Sequence, residues 1–252
     1  MDELSIRVGT WNVRSASREH NAARLDVLLA ENCDVLVLTE TNDELALPDS
    51  YKALTSEYRP GARRGGRWVT IWSKRPGAEF QVVDPVRTTA AALEDGIIIF
   101  GTVLPWKGEL GPDYDLAAAR GGWDEFGRVT SQQSLEWSNL RKDHPGKLLI
   151  VAGDLNQSLG APNWYGTNAS RKLLRNSFEA VGLTCLTDGD HLPEKRLKHP
   201  PIDHVCAVAP VGGVVWGTDW AAWEGETPEG IKLSDHSGVA VTVHCRPPAS
   251  AP

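Results

Sequence analysis

The stretch that decides the fold is "KLLIVAGDLN", residues 147–156, in which an apolar run ends at a glycine and two polar residues. A continuous apolar run of this length is typical of a buried strand with both faces covered. Asp154 and Asn156 then place a carboxylate and a carboxamide two positions apart at the end of the strand. Asp and Asn are common turn formers, and they are also oxygen ligands for a hard cation. The rest of the sequence has to distinguish a turn from a metal-dependent active site.

Strand-like and helix-like runs alternate on both sides of this stretch. A possible N-cap at Ser17 precedes the first helical pattern, and Gly182 stops the last one. Strands are predicted over residues 5–13, 33–40, 65–74, 96–106, 147–154, 202–209, 212–217 and 237–245. Helices are predicted from apolar stripes at Leu25, Leu28 and Leu29, at Phe126, Val129 and Leu140, and at Leu173, Leu174, Phe178 and Val181.

The order of these elements predicts an α/β fold. Strands outnumber helices, and the helices fall between strands in both halves of the chain, which favours two packed mixed sheets with helices outside. A doubly wound parallel sheet fits less well, because several late strands are joined by links too short for a helical crossover. We expect a single domain over residues 1–245 and a disordered tail over residues 246–252, "RPPASAP".

Composition indicates an ordinary soluble protein. The chain has 252 residues, of which 41% are hydrophobic and 23% charged. It contains no apolar run long enough to cross a bilayer, and its acidic start predicts no secretory signal peptide. Widely spaced cysteines without a C-x-x-C pair predict free buried thiols in a reducing cytoplasm rather than a metal site. They are Cys33, Cys185, Cys206 and Cys245.

The charge of the chain limits its possible partners. A net charge of −7 argues against a protein that coats nucleic acid non-specifically, although it leaves room for a nuclease with local contacts. Basic clusters occur at residues 63–67, 171–175 and 195–199. Taken singly, each is interpreted as a solvated surface.

Polar residues recur at the ends of apolar strands in five separated segments. Any one of them is a weak signal, but the set provides what phosphoryl chemistry on a hard cation requires. It offers Glu40 and Asp235 as ligands, Asp154 as a base and His236 as a donor. The segments are "GTWNV" with Asn12, "LVLTE" with Glu40, "AGDLN" with Asp154 and Asn156, "IDHV" with Asp203 and His204, and "SDHSGVAV" with Asp235 and His236.

The motifs "TWNV", "LTET", "GDLN", "IDHV" and "SDHSGV", in this order, resemble those of the endonuclease/exonuclease/phosphatase superfamily. That group includes DNase I, AP endonucleases, inositol polyphosphate 5-phosphatases and neutral sphingomyelinases. The motifs span residues 10 to 239. The resemblance implies a four-layer α/β sandwich, DNase I-like, with the site at one edge of the paired sheets. It also implies hydrolysis of a phosphate ester by in-line attack of water.

The resemblance assigns a metal site to three of these residues. It implies that Glu40 is the main ligand, that Asn12 and Asp235 assist, and that the cofactor is Mg²⁺ or Mn²⁺. Oxygen ligands of this kind suit a hard divalent cation.

The resemblance assigns the chemistry to four others. It implies that Asp154 orients or deprotonates the attacking water and that Asn156 holds water or phosphate. His236 contacts the scissile phosphate, and Asp203 orients His236, as a carboxylate beside an imidazole does. His204 is interpreted as a strand residue without a catalytic role.

The sequence departs from the family pattern on one strand. Many family members carry a second histidine or a tyrosine where this chain reads "IIIFGTVLPWKG", and between Ile97 and Gly108 it has neither. Leu104, Pro105 and Trp106 occupy that neighbourhood. We expect that either Lys107 or a nearby arginine supplies the missing donor, or that assistance to the leaving group is weaker.

Three classes of function remain open, and a nuclease acting on DNA or RNA is favoured. Candidate substrate contacts are Arg67, Trp164 and Asn168, from two segments that combine cations with aromatic faces, together with Lys107.

The second class is an enzyme for a lipid or small-molecule phosphate ester. The spacing of Trp216, Trp220 and Trp223 matches one face of a short helix or a hydrophobic loop tip. Glutamates flank this segment, so a packed loop is preferred to a membrane contact. The third class, a binding module that has lost the chemistry, is disfavoured because Glu40 and Asp154 are both retained.

Overall fold

The computed structural model describes residues 3–14, 18–61, 65–109, 122–188 and 197–248. In this part of the chain, twelve strands form two six-stranded sheets and three α-helices lie outside them. The first sheet contains β1 (Leu4–Asn12), β2 (Val35–Asn42), β3 (Lys52–Thr55), β4 (Gly66–Ser73), β11 (Val214–Trp223) and β12 (Gly238–Arg246). The second contains β5 (Gly77–Phe80), β6 (Thr88–Leu93), β7 (Ile97–Val103), β8 (Leu148–Asp154), β9 (Thr184–Cys185) and β10 (Asp203–Val208). The helices are α1 (Asn21–Ala30), α2 (Asp124–Asp143) and α3 (Asn168–Val181).

The two sheets pack face to face, which confirms the predicted four-layer sandwich. Their strand orders are β11-β12-β1-β2-β4-β3 and β5-β6-β7-β8-β10-β9. Val37 and Ile71 of the first sheet share a buried core with Ile99 and Ile150 of the second. Burial of this apolar surface between the sheets provides most of the force that holds them together.

Separate cores bury the outer faces of the sheets. Leu28 of α1 shares a core with Leu36 of the first sheet, while Trp137 of α2 packs edge-on against Phe100 of the second sheet and Phe178 of α3 packs against Trp137. β8, which contains the apolar run that ends at Asp154, is therefore covered on both faces. All of its seven residues are buried, as its apolar sequence predicts.

The ends of the helices partly follow the predicted signals. The hydroxyl of Thr167 accepts the N–H of Ser170 at the start of α3, and Gly182 ends this helix with a left-handed φ of 80°. The apolar stripe of α2, with Phe126, Val129 and Leu140, is buried as predicted. The predicted N-cap of α1, Ser17, lies outside the described residues.

Three other predictions fall wholly or partly outside the described residues. They concern residues 249–252 of the predicted tail, two arginines of the cluster at 63–67, and residues 195–196 of the cluster at 195–199. Among the described helices, none combines the length and the apolar character that a membrane crossing requires.

The segment with three tryptophans is a strand, so the preferred packed loop is wrong, and so are the helical face and the loop tip. β11 pairs with β12 along its length, and a bulge between Thr218 and Ala221 shifts the alternation of its side chains. The three tryptophans are therefore spaced as on a helix although they lie on a bulged strand. Trp216 stacks on His244 of β12, and Trp223 packs edge-on against Trp11. Trp220 donates its Nε1 proton to the Leu186 carbonyl at 2.8 Å.

Gly153 is the position where the backbone of β8 most strictly requires glycine. Its φ is 142°, and a Cβ at this position would lie 1.9 Å from the carbonyl oxygen of Thr102 on β7. β7 and β8 are hydrogen-bonded neighbours, so the oxygen cannot move without breaking the sheet. Asp154 follows directly, and its position depends on this close approach.

We therefore expect Gly153→Ala to lower the free energy of unfolding by more than about 2 kcal/mol, since the clash adds to the backbone strain. Gly146→Ala is the matched control, because Gly146 is exposed and a Cβ there meets nothing within 4 Å. Denaturant unfolding of the two variants checks the expectation. Equal stabilities would contradict it.

Candidate active site

Strand directions in the first sheet bring three predicted site segments to one edge. β1 and β2 are parallel, with Asn12 opposite Thr39, so Asn12 and Glu40 lie where both strands end. β12 runs antiparallel to β1 and starts at the same edge. Asp235 and His236 immediately precede it and join the group.

The second sheet contributes its residues in the same way. β8 ends at Asp154 and β10 begins at Asp203, and these two residues are directly opposite in an antiparallel ladder. Since the sheets pack face to face, this edge meets the edge of the first sheet. Both carboxylates are buried, with Asp154 2% and Asp203 0% exposed.

Asn12 joins the two sheets through its carboxamide. Its Nδ2 lies 3.1 Å from Glu40 Oε1 in the first sheet and 3.1 Å from Asp154 Oδ2 in the second. Its Oδ1 accepts the N–H of Arg14. A buried carboxamide with these partners has both of its polar ends satisfied.

His236 lies on the other side of Asp154. Its Nδ1 is 2.7 Å from Asp203 Oδ2 and 3.9 Å from Asp154 Oδ2. The carboxylate of Asp203 accepts the Nδ1 proton, which leaves Nε2 as the ring nitrogen for a substrate. The loop is fixed as well, because the Trp11 indole donates to the His236 carbonyl and the His236 N–H donates to the hydroxyl of Ser234.

Two of the site residues have a left-handed backbone. Glu40 has a φ of 50° and Asn156 a φ of 51°. Non-glycine residues rarely adopt this conformation, and such strain concentrates at functional sites. At Asn156 it allows the N–H to bond Asp154 Oδ1 at 3.0 Å while Nδ2 donates to the Leu104 carbonyl at 2.7 Å.

Burial and charge set the pKa values of the two central groups. Burial raises the pKa of Asp154 to about 7, and Asp203 and Glu40 act in the same direction, while His236 and the hydrogen bond from Asn12 oppose the rise. Burial lowers the pKa of His236, but the carboxylates around it, Asp154 and Asp203 first, outweigh burial and raise the pKa to about 10. At neutral pH the imidazole is therefore a cation.

Two sets of residues could hold a metal ion. Asp154, Asp203 and His236 have ligand atoms within 4.8 Å of one another, but the imidazole and Asp203 already bond each other. Glu40, which accepts from the carboxamide of Asn12, and Asp235, which precedes β12 at the same edge of the sheet, offer carboxylate oxygens, and Asn12 adds an amide oxygen. A hard cation such as Mg²⁺ prefers all-oxygen donors, so this second set fits it better. Asp235 lies at the rim, with its side chain 53% exposed.

Arg59 is a candidate functional residue that the sequence did not single out. Its guanidinium lies 3.9 Å from Glu40 Oε2 and stacks on the ring of Trp68, 3.6 Å from the ring centroid. Trp106, from the segment that lacks the family histidine, packs against Trp68. Arg59 lies shortly before the basic cluster at 63–67, and no sequence pattern distinguishes it from the arginines of that cluster.

The other candidate for the missing donor, Lys107, is exposed on a turn. The backbone N–H of Lys107 donates to the hydroxyl oxygen of Tyr165. The negative charge of Asp154 disfavours ionisation of this hydroxyl. Burial raises the pKa of Tyr165, so its hydroxyl stays protonated. This tyrosine comes from the loop after β8 rather than from β7.

The remaining predicted substrate contacts lie in different surroundings. Arg67 is engaged by Asp43 at 3.0 Å and by the carbonyl of Ser56 at 2.6 Å. Trp164 is 42% exposed and stacks on His199, with ring centroids 4.7 Å apart.

Two clefts flank the loop that carries Trp164. One, of about 180 Å³, has His236, Trp164 and His199 in its lining. The other, of about 490 Å³, is lined by Asn168 together with the cations Arg171, Lys172 and Arg175 of α3. An aromatic stack thus separates the site from a basic groove.

Comparison with known sequences identifies a relationship over most of the chain. Residues 9–236 match the Endonuclease/Exonuclease/phosphatase family. This range includes four of the five motifs in full and the first three residues of the fifth, Ser234, Asp235 and His236. No curated protein matches the sequence at a significant level.

Comparison with solved structures agrees on the fold. An AP endonuclease from Archaeoglobus fulgidus superposes with a TM-score of 0.63 at 16% identity, over 94% of this chain and 98% of that one. The 3′ phosphatase NExo from Neisseria, bound to a product DNA hairpin, gives 0.66 at 17% identity, over 94% and 98%. A humanized TDP2 from D. rerio gives 0.59 at 14% identity, over 95% and 98%.

The raised pKa values predict how the metal-free protein responds to pH. Because the pKa of His236 is about 10 in the folded protein and 6.5 ordinarily, the folded state holds an extra proton between these values. Its stabilising contribution is complete below pH 6.5 and is lost as the pH rises through about 10. Asp154, raised from 3.8 to about 7, gives the same sign at lower pH. The metal-free protein should therefore become less stable as the pH rises.

Denaturant unfolding in a chelating buffer at several pH values tests this expectation. Ring NMR signals of His236, assigned by their loss in His236→Gln, should show an imidazolium that persists at pH 8. A ring that titrates near 6.5 would contradict the raised pKa. His144→Gln, at the end of α2, is the control and should leave these signals unchanged.

Proposed function

Because the chain belongs to the endonuclease/exonuclease/phosphatase family, we propose that it is a metal-dependent phosphoesterase that hydrolyses phosphodiester bonds of DNA or RNA by in-line attack of water. One observation carries the proposal. The carboxamide of Asn12 links Glu40 of one sheet to Asp154 of the other, and Asp154 lies 3.9 Å from a histidine that Asp203 orients. This arrangement supports roles for Glu40 in holding a cation, for Asp154 as a base and for His236 as a donor.

Glu40, with Asn12 and Asp235, would hold a Mg²⁺ or Mn²⁺ ion. Such an ion supplies positive charge that offsets the charge of the phosphate and lowers the pKa of water. Arg59 lies 3.9 Å from Glu40 Oε2. An ion bound to Glu40, or a substrate phosphate bound to Arg59, would therefore compete with this ion pair.

Asp154 would act as the base that orients and deprotonates the attacking water. Its Oδ1 accepts from the backbone of Asn156 and its Oδ2 from Asn12, so the carboxylate has a fixed orientation. Without an ion, burial raises the pKa of Asp154 to about 7. A cation held by Glu40 would lower this pKa, so the carboxylate would be ionised and able to accept a proton near neutral pH.

His236 would stabilise the negative charge that develops on the phosphoryl oxygens. Its Nδ1 is bonded to Asp203, and its raised pKa keeps it cationic, so Nε2 presents a charged donor. Arg59 would add a second cation on the opposite side of the site. Trp68 holds this guanidinium in place through a cation–π contact. Arg59 would therefore replace the second histidine that many family members carry.

Nucleic acid is the substrate class that the surface favours. Trp164 and His199 form an exposed aromatic stack in the wall of the cleft beside His236, and unpaired bases stack on such faces. The basic groove along α3 continues on the other side of the loop and offers cations to phosphates. An archaeal neighbour is an AP endonuclease, and the phosphatase NExo is bound to a DNA hairpin, which supports the same class.

The alternative of a lipid phosphate ester loses its main support in the structure. It rested on Trp216, Trp220 and Trp223 as a membrane-facing tip, but these side chains pack along β11. A small soluble phosphate ester remains the alternative substrate class.

The role of Asp154 predicts a large loss of turnover with little loss of fold. Asp154→Asn keeps the shape and removes the base, and it should lower kcat by roughly 10²- to 10⁴-fold. His236→Gln should have an effect of similar order. Steady-state hydrolysis of a phosphodiester reporter with Mg²⁺ measures both. Asp143→Asn, at the end of α2, is the matched control, and turnover retained in Asp154→Asn would exclude it as the base.

The role of Glu40 is tested by metal titration. Glu40→Gln should raise the Mg²⁺ or Mn²⁺ concentration needed for half-maximal activity, because a charged ligand is replaced by a neutral one. Glu44→Gln, on the exposed segment just after β2, serves as the control. An unchanged metal requirement in Glu40→Gln would remove this residue from the ligand set.

The substrate class is tested by comparing a small phosphodiester with oligonucleotides. Trp164→Ala should raise KM for single-stranded DNA or RNA, since base stacking on an aromatic ring contributes about 1–3 kcal/mol. KM for the small reporter should not change. Hydrolysis of a phosphomonoester together with none of DNA or RNA would move the assignment to the small-molecule class.

A further inference from the structure

Two of the four cysteines face each other across neighbouring strands on the outer face of the second sheet. Cys185 of β9 is paired directly with Cys206 of β10. The adjacent pair, Leu186 and Val205, is joined by an N–H to carbonyl bond of 2.9 Å. Because hydrogen-bonded and non-hydrogen-bonded pairs alternate, the cysteines occupy a non-hydrogen-bonded position, where Cα atoms are about 4.5 Å apart. That separation lies within the range that a disulfide spans.

His204 lies beside this pair and is fully buried. Its Nδ1 is 3.0 Å from the carbonyl of Thr187, and its Nε2 is 2.9 Å from the carbonyl of Gln157. Carbonyl oxygens only accept hydrogen bonds, so both ring nitrogens donate and the ring is an imidazolium. A buried cation requires a counter-charge, and the Cys185 sulfur is 3.6 Å from Nδ1.

The ionisation of the neighbouring groups agrees with this geometry. Burial opposes ionisation of Cys185, but hydrogen bonds with the Cys206 thiol and the charge of His204 lower the pKa of Cys185 well below its ordinary value. Burial and the Cys185 charge raise the pKa of the Cys206 thiol. Although burial lowers it, the pKa of His204 rises to about 9, since Cys185 and the two carbonyls hold its proton.

Access distinguishes Cys185 from the other cysteines. Cys33, Cys206 and Cys245 are buried, whereas Cys185 is partly exposed. A partly exposed cysteine with a lowered pKa next to a second thiol is the arrangement found in oxidation-sensitive cysteine pairs.

We propose that Cys185 is a site of reversible oxidation by hydroperoxides and that Cys206 converts the oxidised form into a disulfide. The Cys185 thiolate attacks a peroxide oxygen, the O–O bond breaks, and the leaving hydroxide or alkoxide takes up a proton. The resulting sulfenic acid reacts with the Cys206 thiol, which forms the S–S bond and releases water. The peroxide is reduced, and the two cysteines are oxidised by two electrons.

The disulfide would act on a structural contact near the proposed active site. It removes the thiolate that balances the charge of His204. His204 holds the carbonyl of Gln157, which directly follows Asn156 at the end of β8. Oxidation would therefore weaken the support of this loop.

The experiment uses the full chain, reduced and then treated with hydrogen peroxide. Remaining thiols are alkylated, and the digest is analysed by mass spectrometry. We expect a linked Cys185–Cys206 peptide, loss of two of the four free thiols, and reversal by dithiothreitol. This readout uses the unmodified sequence and does not depend on phosphoesterase activity, so it is independent of the proposed function.

Two variants separate the steps. In Cys206→Ser the reaction should stop at a sulfenic acid on Cys185, trapped by dimedone, and Cys245→Ser should behave as the wild type. First oxidation at Cys33 or Cys245 would overturn the proposal. So would a Cys185 that is not modified by peroxide in the folded wild type, or one that is oxidised without forming the linked peptide.

Discussion

The site depends on one carboxamide placed where two sheet edges meet. Asn12 is the last residue of β1, and its side chain reaches Glu40 in its own sheet and Asp154 in the other. A neutral donor between two carboxylates lets both approach one position without the full repulsion of like charges. The sandwich core forces the two edges together, and this contact determines how the polar groups meet.

That convergence explains the charge pattern of the cleft. The imidazolium of His236 faces the carboxylates of Asp154, Asp203 and Asp235, while Glu40 acts on Asp154 and is itself contacted by Arg59. Burial of excess negative charge is unfavourable unless cations compensate it. The rise of the pKa of Asp154 to about 7 reflects this imbalance, and a divalent cation is the partner that would relieve it. The feature that makes the site costly for folding is thus the one that suits it to phosphoryl chemistry.

Backbone strain follows the same distribution. Glu40 and Asn156 adopt left-handed conformations, and Gly153 allows an approach to Thr102 that no other residue permits. The surrounding strands, buried on both faces, supply the stability that maintains these conformations. On the other face of β10, the paired Cys185 and Cys206 show that the same rigid ladder also holds groups with a different chemistry in register.

The sequence by itself determined several of the main elements and the family to which the chain belongs. Period and apolar runs predict the buried strand β8 and the helices α2 and α3, because local hydrophobic patterns follow the geometry of each element. The order of the polar strand ends, from Asn12 to His236, indicates the family, and the family match over residues 9–236 confirms it.

Only the tertiary structure decided which side chains meet across long distances in the sequence. Arg59 emerged beside Glu40 and Tyr165 beside Lys107, since these contacts join loops whose positions no local pattern encodes. The tryptophans of β11 have a helix-like spacing in the sequence, but they lie on a strand in which a bulge shifts the alternation of side chains. The partner strand fixes a bulge, so the local sequence does not predict it. Likewise, Cys185 and Cys206 are twenty-one positions apart in the sequence, and only strand register makes them neighbours.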